Sequence, residues 1–445
     1  MKITNFLALG ICLLFGSCTM QKSTVQVNDK GTEWEWNKGT IVVKTPERPA
    51  GQESVIGLAL PKMEVVRVGF VGLGMRGPGA VSRFTYIPGT QIVALCDYEK
   101  ERAEKCQKYL KEASLPKAAV YSGDKGYEEL CKRDDIDLVY IATDWLHHFP
   151  VAKCALENGK NVAIEVPSAM NLKECWELVD LSEKNRKHCM ILENCCYDWF
   201  EMNTLNMAQH GVFGEVIRAQ GAYIHNLAPF WKHYWKKGED DKLGWRLDYN
   251  MRHRGDVYAT HGLGPVAQAL NIHRGDRMET LVAMDTKSVV GKDLVKENAD
   301  SVCNSFRNGD HTTTLIRTAN GKVIEIQHNV MTPQPYNRLY QLTGTKGFAN
   351  KYPIQGYALD AEQLNGKCGL YAQVTLEPGC SLGYHEHHGE SETYYILQGQ
   401  GEYNDNGTYR PVKAGDITFT PDNHGHALAN TGNTDLVFMA LIIKD

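Results

Sequence analysis

Nothing in the 445 residues beyond the first few is apolar enough to cross a bilayer. The run Phe6 to Phe15 is about half of what a membrane-spanning helix needs, which disfavours a permanent transmembrane segment there. No block of basic residues stands out. With 48 Lys and Arg against 53 Asp and Glu the net charge is −5, too small and too evenly spread for a nucleic-acid surface, so a small neutral or acidic-tolerant ligand is the default. There is no internal repeat and no low-complexity tract. The 13 cysteines show neither zinc-knuckle spacing nor a disulfide framework. Several of them (Cys96, Cys154, Cys189, Cys195 and Cys196) sit in or beside apolar periodic segments, where a free thiol behaves as a small hydrophobe.

What is present divides the chain into stretches of different material. An apolar content of 42% over this length fills two or three ordinary cores. Lys2, the run Phe6 to Phe15 and the small residues Gly16-Ser17-Cys18 make an export signal over residues 1–18. Leu14-Phe15-Gly16-Ser17-Cys18 resembles a bacterial lipobox, which implies acylation at Cys18 and a body in the periplasm or cell envelope. Residues 19–62 read as a tether followed by an arm. From Val65 short β-branched runs (Val65 to Val71, Gln91 to Cys96, Leu138 to Ala142, Asn161 to Val166, Met190 to Glu193) alternate with helical stretches, the pattern of a parallel sheet over residues 63–197. Residues 198–363 are mixed, with strand-like runs at Gly214 to Gly221, Thr312 to Thr318 and Lys322 to Gln327, and predict an α+β domain on an open sheet. Residues 364–445 are uniformly short-stranded, with turns at Gly399, Asn406-Gly407, Gly415 and Asn423, and predict a small all-β barrel.

The first strand of the parallel sheet runs into Gly72-Leu73-Gly74-Met75-Arg76-Gly77. Glycines there permit a tight turn and close approach of backbone to a pyrophosphate, which the following helix N-terminus meets with unpaired N–H groups. Asp97 closes the next strand, where a carboxylate can hold both ribose hydroxyls and repels a 2′-phosphate, favouring NAD over NADP. Thr143-Asp144-Trp145-Leu146-His147-His148 and Glu165-Val166-Pro167 follow two further strands, at the carboxyl ends where open sheets bind ligands.

These segments resemble the Gfo/Idh/MocA oxidoreductases, a Rossmann-type nucleotide domain followed by an open-sheet substrate domain. The sugar dehydrogenases of that superfamily carry a lysine where Val166 stands here, so another group must handle protons. From Val65 to about Ala361 the likeness narrows. Glu193-Asn194-Cys195-Cys196-Tyr197, Gly255 to Gly262 and Gln327 to Pro333, with the two blocks above, resemble the family 109 glycoside hydrolases. That resemblance implies hydrolysis of α-linked N-acetylgalactosamine by transient oxidation at C3, deprotonation at C2, elimination and addition of water. It also implies a cofactor set of Gly72, Gly74, Met75, Arg76, Gly77, Asp97, Trp145, His147, His148, Glu165, Val166 and Asn194. Tyr197 corresponds to the base for the C2 proton and His261 to the group serving the leaving oxygen or C3, while Tyr223, Arg246, Tyr258, His261 and Tyr336 fit substrate binding. The aromatic stretch Phe230 to Trp235 roofs the pocket or wedges a core. A plain NAD-dependent sugar oxidoreductase, or an inactive enzyme module beside a ligand-binding barrel, are the competing readings.

The tail departs from that family. Gly379, His385, His387, Glu392 and Gly399, then Gly415, Pro421, His426 and Asn430, follow the two cupin motifs. His385, His387, Glu392 and His426 can enclose a divalent metal, with His388 and His424 as flanking residues. Family-like sequence stops near Gln363 to Gly366 without a linker, so activity is expected to be weak unless a homodimer or the barrel covers the surface left open. The export reading has a direct check. Cys18→Ala should move the protein from the membrane to the soluble fraction, and unchanged membrane association would refute lipidation.

Overall fold

The structure, a computed structural model, describes residues 26–27, 33–227, 245–295, 306–360 and 367–444. Cys18, the Phe230 to Trp235 stretch and the Gln363 to Gly366 junction lie outside them. The chain divides into two units, Met1–Leu192 and Glu193–Asp445.

In the first unit β1 (Val66–Val71), β2 (Thr90–Asp97), β3 (Ala119–Ser122), β4 (Leu138–Ile141), β5 (Asn161–Ile164) and β6 (Cys189–Ile191) form a parallel sheet in the order β3-β2-β1-β4-β5-β6. The crossovers contain α1 (Gly77–Phe84), α2 (Lys100–Glu112), α3 (Gly126–Cys131), α4 (Trp145–Glu157) and α5 (Leu172–Asn185). Helices on both faces of a parallel sheet bury both faces of its strands, and there are accordingly two cores. One packs Val139, Ile141, Val162 and Ile164 against α3, α4 and α5, the other packs Val68, Phe70 and Leu95 against α1 and α2. This is the Rossmann arrangement that the strand-helix alternation predicts.

The glycines of the first turn differ in what they must do. Gly72 has φ +91°, and a Cβ there would fall 2.5 Å from Thr143 N. On Gly77 it would fall 2.0 Å from Gly72 O, so α1 could not start where it does. A Cβ on Gly74 meets nothing nearer than Arg102 NH1 at 3.7 Å, which leaves open space beside the turn.

The arm is more ordered than its composition suggests. Glu33–Asn37 and Thr40–Val43 pair as a hairpin across Lys38 and Gly39, whose φ values of 47° and 86° suit a tight turn between β-branched and aromatic residues. Further on, Arg48 grips the buried Glu183 of α5 with two bonds of 2.8 and 2.9 Å.

The second unit opens with a correction. The run Met190 to Glu193 predicts a strand leading to Tyr197, but β6 stops at Ile191 and Asn194–Tyr197 is a turn of 3-10 helix. The side chain of Glu193 accepts from Cys195 N–H at 3.0 Å and so starts that turn as a cap. After α6 (Trp199–Gln209) come β7 (Val216–Ile224), α7 (Trp245–Arg252), α8 (Thr260–Ala269), β8 (Met278–Asp285), β9 (Thr312–Thr318), β10 (Val323–Asn329), β11 (Tyr340–Gly344), β12 (Gly347–Asn350) and β13 (Gly356–Leu359). The sheet order is β8-β9-β10-β7-β11-β12-β13, with β7 and β10 parallel. Phe200 of α6, Val266 of α8 and Leu270 just after it pack on Ile324, Ile326 and Leu342 of the sheet. Helix α8 comes very close to β7, because a Cβ on Gly221 would fall 2.1 Å from Gly262 O.

The last segment forms two four-stranded antiparallel sheets. These contain β14 (Cys368–Leu376), β15 (Ser381–Glu386), β16 (Glu390–Gln398), β17 (Gln400–Asp405), β18 (Thr408–Lys413), β19 (Ile417–Thr420), β20 (Gly425–Ala429) and β21 (Leu436–Lys444). The orders are β14-β21-β16-β19 and β15-β20-β17-β18, around a core with Tyr394, Ile396, Tyr403, Leu428 and Phe438. The turn residues Gly399, Asn406, Gly407, Gly415 and Asn423 all have positive φ. Asn423, where glycine is common, tolerates its φ of 61° because a short polar side chain is least strained in the left-handed region.

The glycine geometry gives a paired expectation for urea unfolding. Gly77→Ala should cost about 1–3 kcal/mol through overpacking against Gly72, whereas Gly74→Ala should leave stability within about 0.5 kcal/mol.

Candidate active site

The nucleotide cradle is built from the turn after β1. Gly72 and Gly77 are buried within it, while Gly74, Met75 and Arg76 are exposed at its tip. Helix α1 begins with no side-chain cap and no acidic residue in its first turn, so its leading N–H groups and positive dipole end remain for an anion. Asp97 is 5% exposed and does more than sequence reading assigned to it. Its Oδ2 accepts from Leu73 N–H at 2.6 Å and its Oδ1 from Glu99 N–H at 3.0 Å, so the same carboxylate braces the glycine turn.

The loop after β4 is set by Asp144, which caps α4 and also accepts from His147 Nδ1 at 2.6 Å, raising the pKa of that imidazole. Trp145 is buried at the start of α4. His148 is enclosed between two loops. It is 1% exposed, and its ring nitrogens sit 2.6 Å from Pro167 O and 3.1 Å from Thr143 O. The ring thus lies between the loop after β4 and the loop after β5, and since burial lowers its pKa the neutral imidazole donates to one of these carbonyls. Glu165 accepts from Tyr140 OH at 3.1 Å, and Val166 is buried, with no proton to exchange.

In the second unit His261, second residue of α8, stands in a polar and aromatic basin. Its ring centre lies 4.7 Å from that of Tyr258 and 5.0 Å from that of Tyr223, and Arg246 lies 6.0 Å over Tyr258. Arg338 lies 4.2 Å over Tyr223 and 5.6 Å from the ring of Tyr336, which also faces His225 at 5.0 Å and Tyr352 at 6.1 Å. The residues singled out for substrate binding therefore share one neighbourhood. Sequence reading missed Arg338, His225 and the buried His328, and gave Glu193 no role. Glu193 and Cys195 were visible inside a quoted block, whereas Arg338, just before β11, belongs to no spacing pattern.

Glu193 Oε1 accepts from His261 Nδ1 at 2.6 Å, and both side chains are buried. Burial pushes the Glu193 carboxyl up, but the His261 bond and charge and the Cys195 N–H outweigh it and hold it below the usual range. Cys195 Sγ faces Arg338 NH1 at 3.3 Å, yet burial pushes this thiol up to about 12, so it stays protonated. Tyr197 is 54% exposed, and the burial it does have pushes its phenol up. The segment beyond it is pinned by Lys351, whose Nζ donates to Asp198 Oδ2 at 2.9 Å and to Glu201 Oε1 at 2.6 Å. Asn194 is exposed at the start of the 3-10 turn.

In the barrel His385, His387, Glu392 and His426 converge. His426 Nε2 lies 3.1 Å from both His387 Nε2 and His385 Nε2, and 2.8 Å from Glu392 Oε2. The outer nitrogens each have a partner. His385 Nδ1 lies 2.9 Å from Gly383 O, His387 Nδ1 3.1 Å from Glu390 Oε1, and His426 Nδ1 3.1 Å from Tyr403 OH. With Nδ1 donating outward, the Nε2 lone pairs and the carboxylate would face inward, a donor set that suits a divalent cation. The site opens into a cavity of about 310 Å³ lined in part by Leu370, Val374, Leu382 and Ile442. His388 and His424 are exposed and bond to Asn423 and to Asp422 O instead.

Comparison with known proteins accounts for all three parts. Residues 66–193 match the NAD-binding Rossmann fold of an oxidoreductase family, residues 197–365 the C-terminal domain of glycosyl hydrolase 109, and residues 372–442 a cupin domain. Glycosyl hydrolase family 109 protein 4 of Phocaeicola vulgatus is 79% identical over 364 residues, covering 82% of this chain and 70% of that protein. Protein 5 of the same organism is 80% identical over 364 residues, 81% of this chain and 70% of its own length. Among solved structures, aldose-aldose oxidoreductase from Caulobacter crescentus complexed with glycerol shares the fold at 17% identity, with a TM-score of 0.51 over 66% of this chain and 80% of that one. A glycosidase domain that follows an NAD-binding domain at this level of identity leaves one assignment: the chain is an enzyme of glycosyl hydrolase family 109, and it carries a cupin domain at its end.

Proposed function

We propose that this enzyme removes terminal α-linked N-acetylgalactosamine from a small carbohydrate or glycoconjugate by oxidation at C3 followed by elimination across C1 and C2. The observation that carries the reading is the joining of an NAD-binding domain to a glycosidase-family domain in which a buried histidine pairs with a single carboxylate. Gly72, Gly74, Met75, Arg76 and Gly77, with the N-terminus of α1, would hold the pyrophosphate, and Asp97 the ribose. The open space beside Gly74 and the uncapped helix fit that use. When bound, NAD supplies reversible oxidation at C3 and is restored in each turnover.

The chain's own residues do the rest. Tyr223, Arg246, Tyr258 and Tyr336 bind and orient the sugar through hydroxyl, guanidinium and ring faces. His261 moves the proton at the C3 hydroxyl or the leaving oxygen. Tyr197 takes the proton from C2, made acidic by the adjacent ketone. The C1 substituent then leaves, and water adds to C1 as the proton returns to C2. Burial raises the Tyr197 phenol in the free chain, so this step needs positive charge delivered when substrate is assembled.

Turnover of para-nitrophenyl α-N-acetylgalactosaminide without added NAD, in deuterated water, should place deuterium at C2 of the released sugar. Tyr197→Phe and His261→Ala should each abolish turnover while circular dichroism stays unchanged. Hydrogen retained at C2 would point instead to direct displacement by carboxylates.

The cupin is proposed to hold a divalent metal on His385, His387, Glu392 and His426. We also propose that the protein is exported to the periplasm or cell envelope, anchored by lipid at Cys18, and assembles as a homodimer. Metal at about 100 times its Kd should stabilise the wild type by about 2.7 kcal/mol. The same addition should leave His426→Ala unchanged, and a wild type with no metal-dependent shift would refute the metal.

A further inference from the structure

We infer that Glu193 is a positioning residue for His261, holding its imidazole in one tautomer and sustaining its charged form during turnover. The inference rests on the proposed role of His261 and goes beyond it by naming the group on which that role depends.

Three observations carry it. The Glu193 Oε1 to His261 Nδ1 bond is 2.6 Å long between side chains that are 5% and 7% exposed. A carboxylate there accepts only, so the imidazole must donate from Nδ1, and Nε2 carries the lone pair. The pair is also built into the backbone. Glu193 caps the 3-10 turn that ends at Tyr197, and a Cβ on Gly264 would lie 2.9 Å from Glu193 Cγ. The Gly262 backbone rests on Gly221, so α8 has little freedom to carry His261 away from its partner. Finally, the same Oε1 that meets His261 also accepts from Cys195 N–H at 3.0 Å, so the backbone of the 3-10 turn fixes the oxygen aimed at the imidazole.

Several other groups near His261 among the described residues carry no full charge. Cys195 Sγ lies 3.7 Å from Nδ1 as a protonated thiol, Tyr223 and Tyr258 present ring faces, and His328 is buried and held toward its neutral form.

The sign follows directly. A carboxylate beside an imidazole favours its protonated form, so removing the charge should lower the pKa of His261. In the full chain, Glu193→Gln should reduce kcat about 10- to 100-fold, the range seen when a supporting hydrogen bond to a functional histidine is lost. KM and bound NAD should stay within about twofold. The limb of the pH-rate profile that belongs to His261 should move to lower pH by roughly 1–2 units, and Glu193→Asp should restore part of both effects. A folded Glu193→Gln with wild-type kcat and profile, beside an inactive His261→Ala, would overturn the inference alone. An active His261→Ala would overturn the proposed function itself. Should Glu193→Gln fail to fold, proton NMR of the wild type decides. A downfield ring N–H resonance missing from His261→Ala is expected, and its absence at low temperature would sink the idea.

Discussion

The second unit depends on how closely one helix can approach one strand. Glycine at 221 and 262 removes the side chains that would hold α8 away from β7, and at 264 it makes room for the Glu193 stem. That approach buries His261 against Tyr223 of the same strand and within reach of Glu193. Any side chain at these positions would have to move the helix, and a shift of about 1 Å is enough to misplace a proton-transfer group.

The two units solve the problem of buried polar groups in related ways. In the nucleotide unit Asp97 serves the turn it faces as well as whatever binds there, and His148 sits between two loop carbonyls. In the second unit the same economy goes into charge. Glu193 opens the turn leading to Tyr197 and pairs with His261, while Lys351 fixes Asp198 just beyond Tyr197. His261 and the turn leading to Tyr197 are thereby held by charged neighbours.

The barrel repeats the principle with a different donor set. Each of its three inward-facing imidazoles is oriented by an outer partner, and Tyr394 OH donates to Glu392 Oε2 at 3.0 Å. Burial pushes the Glu392 carboxyl up, but the His426 imidazole and the Tyr394 hydroxyl beside it outweigh that and hold it below the usual range.

Much was legible in the sequence, because it rests on local chemistry. Strand and helix alternation, the glycine turn, the turn glycines and asparagines of the barrel, and the spacing of His385, His387, Glu392 and His426 are written in neighbouring residues and follow from backbone conformation and periodicity. Local pattern failed where a side chain competes with the backbone: Glu193 ended a run that reads as a strand, and a hairpin lay hidden in what reads as a tether. What only the tertiary structure decided is pairing at long range. Glu193 and His261 are 68 residues apart, Cys195 and Arg338 143 apart, and no periodicity connects them. The sequence by itself determined which groups are available; the crossing of α8 over β7 decided which two of them share a proton, because contact across a sheet is set by backbone approach and not by spacing along the chain.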